Sequence, residues 1–190
     1  MSATIVIPAR LCSTRLPGKA LAGIAGRPMV VRVWEQASRS RGVDEVLVAT
    51  DDEAIFRVVE QAGGRAVMTR ADHLSGTDRI AEVAAGLDSE IIVNLQGDLP
   101  LLDPGWIEAA IAALEEAPVP GGQRAVVSTL ATALEPDDES RSQVVKVVCD
   151  QAGHALYFSR QPIPAGDAAC LKHIGLYAYR REFLLKFAQL

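Results

Sequence analysis

Short apolar runs alternate with helical segments over the first half of the chain, and this alternation limits the fold more than any other feature. Each run has the length and the β-branched content of a buried strand. The stretch after each run has its own capping residues, such as Asp51 or Asp52 before Glu53–Ala62. Such βα units build a parallel sheet with right-handed crossovers. The predicted strands are Thr4–Ile7, Glu45–Thr50, Arg65–Thr69 and Glu90–Leu95, and the predicted helices are Met29–Ala37 with Pro28 at its first position, Glu53–Ala62, a segment from Ser75 or Thr77 to about Leu87, and Pro104–Glu116.

The pattern changes after residues 118–123, which form a Pro- and Gly-rich break. We therefore predict an α/β fold, a three-layer, mostly parallel, Rossmann-like nucleotide-binding sheet with a small antiparallel β appendage. One strand of the second half could rejoin the main sheet. The predicted strands of this half are Ala125–Leu134, Gln143–Cys149, His154–Arg160 and His173–Tyr179, with a turn at 150–153, a loop at 163–171 and a helix from Arg181.

We predict a single domain over residues 1–190, with a nucleotide-binding core in 1–120 and a β region in 125–180. The apolar helical pattern Phe183–Leu190 reaches the last residue without a cap. This pattern predicts that the sequence is cut short.

The charge balance excludes some classes of partner. The net charge is -5, and we find no basic tail, so nucleic acid is not expected as a partner. Cys12, Cys149 and Cys170 form no CxxC pair, which favours reduced thiols in the cytoplasm. No apolar run approaches the length of a membrane span, so no membrane association is expected.

A cationic loop, from Pro8 to Lys19, follows the first predicted strand. Ligands of an open α/β sheet bind at the carboxyl ends of its strands, which is where this loop is placed. Basic side chains beside small residues with accessible N–H groups favour polyphosphate binding, although a solvated basic loop is the alternative. From Met1 to Trp34 there is no acidic residue, whereas the basic residues are Arg10, Arg15, Lys19, Arg27 and Arg32.

Asp98 follows another buried strand and is expected at the same sheet edge. Magnesium is commonly held by one or two carboxylates together with water and substrate phosphates. Asp98 is therefore a candidate metal ligand, with a turn or helix-capping role as the alternative.

Other polar residues are weaker candidates on their own. The segment Ser75–Asp78 could be only a helix cap, and His73 on a polar loop is expected to be solvated. Lys146 interrupts an apolar strand, so it is either an edge charge or a paired group in a cleft. Arg160 and His173 are as readily structural as functional.

Several blocks, in order along nearly the whole chain, resemble the 3-deoxy-manno-octulosonate (Kdo) cytidylyltransferase family. No other family known to us combines these blocks at these spacings. The blocks are Ile7–Arg10, Ser13–Lys19, Thr69–His73, Ser75–Arg79, Asn94–Asp98, Val145–Val148, Ala155–Arg160 and His173–Arg180.

The resemblance implies transfer of CMP from CTP to Kdo, with release of pyrophosphate, for lipopolysaccharide synthesis. It also implies Mg²⁺ as cofactor and a cytosolic homodimer whose sugar-binding and dimerisation region is 125–180. Matching positions imply that Arg10, Arg15, Lys19 and Asp98 are catalytic, with Asp98 on the metal. They imply a nucleotide site of Pro8, Ala9, Arg10, Lys19, Arg70, Ser75, Gly76, Thr77 and Asp78, and a sugar site of Gln96, Arg160, His173 and Tyr177.

The chain departs from the family pattern in three places. Leu99 stands where the family usually has Glu, the loop 161–171 is short, and the family continues for about another quarter of its length. Two other functions therefore remain open. One is a cytidylyltransferase for another sugar acid, such as sialic acid or 8-amino-Kdo, and the other is a non-catalytic relative that binds CTP or dimerises.

Overall fold

The computed structural model describes residues 2–11, 16–116, 124–163 and 170–190, and it divides the chain into two units. The first unit comprises Met1–Ser128 and Leu176–Leu190, and the second comprises Thr129–Gly175. The predicted break at 118–123 and residues 164–169 of the predicted loop lie outside the described residues. The elements are β1 (Ala3–Ala9), β2 (Gly23–Ile24), β3 (Arg27–Pro28), α1 (Met29–Ala37), β4 (Glu45–Thr50), α2 (Glu53–Gln61), β5 (Arg65–Met68), α3 (Gly76–Ala85), β6 (Ile91–Leu95), α4 (Pro104–Glu116), β7 (Val127–Ala133), β8 (Lys146–Cys149), β9 (Ala155–Ser159), β10 (Leu171–Arg180) and α5 (Arg181–Phe187).

The sheet of the first unit runs in the order β5-β4-β1-β6-β10. β1 pairs in parallel with β4 and with β6, and β4 pairs in parallel with β5. The second half of β10 pairs antiparallel with β6, where Leu176 lies opposite Leu95. The predicted parallel sheet is confirmed, and so is a strand of the second half that rejoins it. This topology brings the carboxyl ends of β1 and β6 to one edge.

Burial explains the strands of this sheet. Ile5, Val6 and Ile7 of β1 have no exposed surface, and Ile91–Val93 of β6 are equally enclosed. Side chains of successive strand residues point to opposite faces, so an unbroken apolar run requires cover on both faces. On one face α3 and α5 pack on the strands through Ile80, Val83, Ala84 and Leu184.

The structure settles which residues cap the predicted helices. Asp52 caps α2, since its carboxylate accepts hydrogen bonds from the N–H groups of Ala54 and Ile55 at 2.9 and 3.1 Å. Ser75 caps α3 through a reciprocal capping box with Asp78. Pro28 precedes α1 and is not its first residue, because it ends strand β3 with an extended ψ of 144°.

The second unit is antiparallel. β8 pairs with β9 and with the first half of β10, where Leu171 lies opposite Val147. The turn between β8 and β9 is closed by the Asp150 N–H, which donates to the His154 carbonyl at 2.9 Å. β8 begins at Lys146 and not at the predicted Gln143, because the preceding residues form a turn in which the Val144 N–H donates to the Arg141 carbonyl at 3.1 Å. Within the described ranges, no helix has both the length and the apolar character needed to cross a membrane.

Candidate active site

A cleft of about 230 Å³ opens at the carboxyl ends of β1 and β6. Its polar wall contains residues from the cationic loop and from the turn after β6. The lining residues are Pro8, Ala9, Arg10, Leu16, Lys19, Ala20, Met29, Gln96, Gly97 and Asp98. The structure therefore brings together in one cavity six predicted site residues, Pro8, Ala9, Arg10, Lys19, Gln96 and Asp98.

Backbone hydrogen bonds fix the position of Lys19. Gly18 has a left-handed φ of 71°, and its N–H donates to the Leu11 carbonyl at 3.0 Å. A short 3₁₀ turn over Lys19–Leu21 follows directly. The glycine is needed here because a residue with a Cβ is strained at this φ. The predicted Arg15, like Ser13 and Thr14, lies outside the described residues.

Lys19 and Asp98 form an ion pair across the cleft. The Lys19 ammonium donates to Asp98 Oδ2 at 2.8 Å, and the two side chains are 36% and 49% exposed. An exposed pair of this kind is worth little to stability, because water screens both charges. Its importance is chemical, since it presents a cation and a hard oxygen ligand to the same cavity.

Two glycines allow the backbone segments of the site to approach one another. A Cβ on Gly97 would lie 3.3 Å from the Pro8 carbonyl oxygen, and a Cβ on Gly76 would lie 3.3 Å from Pro8 Cγ. A role for Gly76 is implied only by the family resemblance, and Gly97 is not among the predicted site residues.

The family resemblance implies CTP as the ligand, and Gly97→Ala is expected to weaken its binding about fivefold, because the added methyl displaces the Pro8 carbonyl and, through Ala9, Arg10. Isothermal titration with CTP checks this change. Gly86→Ala is the matched control, since a Cβ there would meet only the Val83 carbonyl at 3.7 Å. Equal CTP affinity for both variants would contradict the close-approach role of Gly97.

A smaller cavity of about 130 Å³ adjoins the cleft and shares Pro8, Ala9, Arg10 and Gln96 with it. Its remaining walls come from the start of α3 and from the loop before it. They are formed by His73, Ser75, Gly76 and Arg79. Ser75 and Gly76 were predicted to bind the nucleotide, whereas Arg79 and His73 were not.

Arg79 is the most buried cation of the smaller cavity. Its side chain is 5% exposed, and it pairs with Asp51 Oδ2 at 3.3 Å and donates to the Thr69 hydroxyl. Asp51 Oδ1 is buried and has no hydrogen-bond partner among the described residues. Arg79 therefore ties the ends of two strands to α3. The position of Asp51 directly after a strand is the sequence signal for this pair, although the predicted role of Asp51 was only that of a helix cap.

The prediction that His73 is solvated is wrong. Its side chain is only 5% exposed, and its Nε2 hydrogen-bonds Glu82 of α3. The same Glu82 oxygen accepts the Arg70 N–H at 3.2 Å. The Glu82 carboxylate therefore holds the loop 70–73 against α3. His73 and Glu82 are nine residues apart in the chain, so the sequence does not show that they pair.

The other predicted nucleotide residues do not line the smaller cavity. The Arg70 side chain is 69% exposed and pairs with Asp72 at 3.4 Å. Asp78 is used in the capping box, where its carboxylate accepts the Ser75 N–H at 2.9 Å. Thr77 lies between Ser75 and Asp78, in the first turn of α3. Their roles in nucleotide binding stay predictions.

Two cations of the basic segment are used within the protein. Arg27 pairs with Glu35 at 2.5 Å. Arg32 donates to the carbonyls of Ile24 and Ala25 at 3.2 and 2.8 Å, which holds the β2–β3 turn where Ala25 has a φ of 47°. The excess of positive charge read from the sequence is thus partly structural.

The predicted sugar residues Gln96 and Tyr177 lie on one face of the first unit's sheet. Gln96 Nε2 donates to Asn94 Oδ1 at 2.8 Å, and Tyr177 is the cross-strand partner of Asn94. The Tyr177 ring stacks on that of Tyr179 at 5.9 Å. Burial raises the pKa of Tyr177, and burial with the neighbouring Tyr177 raises that of Tyr179 to about 12. Both phenols are therefore neutral hydrogen-bonding groups at physiological pH.

The other two predicted sugar residues, Arg160 and His173, lie in the second unit. Arg160 follows β9, and its Nη1 donates to the carbonyls of Ser142 and Gln143 at 3.1 and 3.3 Å. His173 Nε2 hydrogen-bonds the Thr129 hydroxyl at 2.8 Å, and its ring contacts that of Phe158 edge-on. Burial lowers the pKa of His173, so its imidazole stays neutral to a lower pH than an exposed histidine does.

Lys146 is a fully buried cation in the second unit. Its ammonium donates to the carbonyls of Arg141 and Arg160 at 2.8 and 3.1 Å. Of the two alternatives left by the sequence, an edge charge is excluded. The partners are backbone carbonyls, so Lys146 connects the turn before β8 to the end of β9.

Lys146→Met is expected to lower the free energy of unfolding by about 2 kcal/mol, because the carbonyls of Arg141 and Arg160 lose their donor while the side-chain volume is kept. Urea unfolding checks this loss. Lys186→Met, at an exposed position of α5, is the control and is expected to stay within about 0.5 kcal/mol. Equal stability of the two variants would contradict the bridging role of Lys146.

The donor set of the cleft fits a Mg²⁺ ion that is shared with a polyphosphate. The described residues contain no group of three or more His, Cys, Asp or Glu side chains that could hold a metal ion by themselves. A single carboxylate that faces a cationic loop is nevertheless how magnesium commonly meets substrate phosphates. Asp98 is the carboxylate among the residues that line the cleft.

Comparison with known proteins identifies relatives over the whole chain. The model of the cytidylyltransferase family matches residues 4–190. The 3-deoxy-manno-octulosonate cytidylyltransferase of Geobacter sulfurreducens is 49% identical over 100% of this chain and 80% of its own length. The protein of the same name from Syntrophotalea carbinolica is 51% identical, with the same coverage of both proteins.

Solved structures agree with these relatives. A CMP:2-keto-3-deoxy-manno-octonic acid synthetase complexed with CTP has a TM-score of 0.92 and 44% identity over 100% of this chain and 78% of its own. A 4-diphosphocytidyl-2C-methyl-D-erythritol synthase from Anaerococcus prevotii, at 15% identity and a TM-score of 0.63, covers 98% of this chain and 73% of its own and shares the fold. By sequence and by fold, the chain belongs to the 3-deoxy-manno-octulosonate cytidylyltransferase family within the cytidylyltransferases.

Proposed function

We propose that this chain transfers CMP from CTP to Kdo, giving CMP-Kdo and pyrophosphate for lipopolysaccharide synthesis. The observation that carries the proposal is the single cleft in which Arg10, Lys19 and Asp98 converge beside a second, smaller cavity. The relatives that bear this activity in their names match the entire chain.

In the proposed reaction, the anomeric hydroxyl oxygen of Kdo attacks the α-phosphorus of CTP. A new P–O bond forms, the bond between the α-phosphorus and the bridging oxygen to the β-phosphate breaks, pyrophosphate leaves, and the hydroxyl proton passes to solvent. Such transfers need positioning and neutralisation of charge more than covalent help from the protein. Arg10 and Lys19 are suited to hold the phosphates and to stabilise the charge that develops on the leaving pyrophosphate. Arg15 is proposed to assist them on the evidence of the sequence pattern alone.

Asp98 would hold Mg²⁺ in this site together with phosphate oxygens of CTP. The ion, when bound, would withdraw electron density from the phosphate oxygens and so favour attack on phosphorus. Lys19 already neutralises Asp98, and the triphosphate offers Lys19 a stronger anionic partner.

We propose that Arg160 binds the carboxylate of the sugar acid. Its Nη1 is engaged by two backbone carbonyls, which orients the planar guanidinium for its remaining donors. Gln96, Tyr177 and His173 are proposed to contact the sugar hydroxyls.

Pyrophosphate release with CTP, Mg²⁺ and Kdo tests the function. Sialic acid, 8-amino-Kdo and no sugar acid are the comparison reactions. Release that depends on Kdo supports the proposal, and release that depends instead on another sugar acid assigns that substrate. A folded, CTP-binding protein that releases no pyrophosphate with any of them would exclude catalysis by this chain.

We further propose a cytosolic homodimer that associates through β9. Leu156, Tyr157 and Phe158 on this strand are 64%, 64% and 41% exposed, so apolar side chains lie on both of its faces. Analytical ultracentrifugation of Tyr157→Arg is expected to show monomers where the unmodified chain forms dimers, and a monomeric unmodified chain would contradict the assembly.

Cys149 and Cys170 are free thiols, which agrees with a reducing compartment, and cell fractionation tests the location.

A further inference from the structure

His73 lines the smaller cavity, and it is not one of the residues proposed to bind phosphate. Its ring lines this cavity, whereas it is not among the residues that line the larger cleft. Although it lies in the loop before α3, its side chain is only 5% exposed. A ring so enclosed, at the margin of a cavity, can be fixed in one orientation.

Glu82, in the second turn of α3, makes the contact that holds the His73 ring. Its Oε2 takes both the hydrogen bond from His73 Nε2 and the Arg70 N–H at 3.2 Å. The hydrogen bond from His73 is the main cause that lowers the pKa of Glu82 below its ordinary value. Glu82 is therefore a carboxylate at neutral pH and can only accept, so Nε2 carries the proton.

This arrangement defines the chemistry that His73 offers to a ligand. Because Nε2 donates to Glu82, Nδ1 is the ring nitrogen left for a ligand, and it accepts a hydrogen bond in the Nε2-protonated tautomer. The cationic side chains of the same cavity, Arg10 and Arg79, offer donors only. The cavity can therefore present donors and an acceptor to one planar ligand.

Cytosine and uracil differ in the group that such an acceptor would meet. Cytosine carries an amino donor at C4, where uracil carries a carbonyl acceptor. The proposed function places the phosphates in the cleft with Arg10, Lys19 and Asp98. The smaller cavity adjoins this cleft and shares Arg10 and Gln96 with it, so the base is expected to lie in the smaller cavity.

We propose that His73 is a specificity-determining residue that accepts a hydrogen bond from the cytosine amino group, and that Glu82 is the positioning residue that holds it there. The inference rests on the proposed function, because it takes CTP as the nucleotide. Glu82 touches no substrate and acts only through the orientation of the His73 ring.

Isothermal titration of the full chain with CTP, UTP and inorganic tripolyphosphate, each with Mg²⁺, tests the proposal. In His73→Phe the CTP dissociation constant is expected to rise about tenfold, as for loss of one well-placed hydrogen bond, while the UTP value changes less than about twofold. Glu82→Gln is expected to lower the CTP-over-UTP preference about threefold. Tripolyphosphate affinity is expected to stay constant throughout.

Glu53→Gln, in an exposed ion pair on α2, is the matched control and is expected to keep the full preference for CTP. Long-range ¹⁵N–¹H spectra report the His73 tautomer, which is expected to change in Glu82→Gln. If His73→Phe does not fold, the proposal is tested by Glu82→Gln alone, through its CTP-over-UTP preference and the tautomer of its His73 ring. Equal losses for CTP and UTP, or an unchanged preference in both variants, would overturn the proposal.

The two proposals fail in different ways. Variants that keep the preference for CTP while the unmodified chain still releases pyrophosphate with Kdo overturn the role of His73 alone. A chain whose CTP preference follows His73 and Glu82 as expected, but which releases no pyrophosphate, overturns the transfer function alone.

Discussion

Asp98→Ala is expected to slow Kdo-dependent pyrophosphate release by about 100-fold or more, because in the proposed function this carboxylate holds the Mg²⁺ that neutralises charge at the reacting phosphate. Asp98 is the acidic residue among those that line the cleft. Its exposed position predicts that the variant folds normally, with an unchanged melting temperature. Steady-state assays at saturating CTP and Mg²⁺ measure the loss.

The Lys19–Asp98 ion pair adds a second expectation of opposite sign. Asp98→Ala releases Lys19 from its 2.8 Å partner, so binding of CTP without Mg²⁺ is expected to tighten a few-fold while turnover collapses. Asp88→Ala, at an exposed position after α3, is the control for both measurements. Activity of Asp98→Ala near that of the control would remove Asp98 from the catalytic machinery.

Arg79→Met is expected to destabilise the protein by about 3 kcal/mol, because it leaves the Asp51 carboxylate without its cationic partner in a largely buried position. Asp51 Oδ1 already has no hydrogen-bond partner among the described residues, so its charge depends on Arg79. The melting temperature is expected to fall by about 6–12 °C for a chain of this size.

A double-mutant cycle separates this pairing from simple loss of packing. Adding Asp51→Ala to Arg79→Met is expected to restore about 1–2 kcal/mol, since the unpaired charge is then removed. Arg57→Met, which breaks an exposed pair with Glu53, is the control and is expected to cost less than about 0.5 kcal/mol. Strictly additive losses in the cycle would show that Arg79 and Asp51 are not coupled.

Local patterns determined the elements of the first unit. The predicted bounds of Glu45–Thr50 and Pro104–Glu116 are reproduced without change, and those of the first helix differ only in that Pro28 precedes it. These elements are bounded by Pro, Asp and Gly signals, and their periodicity agrees with their burial. Bounds in the second half were less accurate, because turn hydrogen bonds such as Val144 to Arg141 decide where its strands begin.

The cationic loop and Asp98 were also predictable as candidates. Each follows a strand, and parallel strands must present their carboxyl ends at the same edge. That rule places Lys19 and Asp98 near each other although they are 79 residues apart. It does not reveal that they form an ion pair.

By itself, the sequence determined the parallel sheet, the edge that carries the site, and the family, because strand periodicity, caps and motif spacing are local properties of the chain. Only the tertiary structure decided the partners of His73, Arg79 and Lys146. Each of these cationic or titratable side chains is enclosed by groups from another element or turn: Glu82 of α3, Asp51 after β4, and the carbonyls of Arg141 and Arg160. The physical reason is desolvation, since a buried polar group must find a partner, and chain folding determines which partner is within reach.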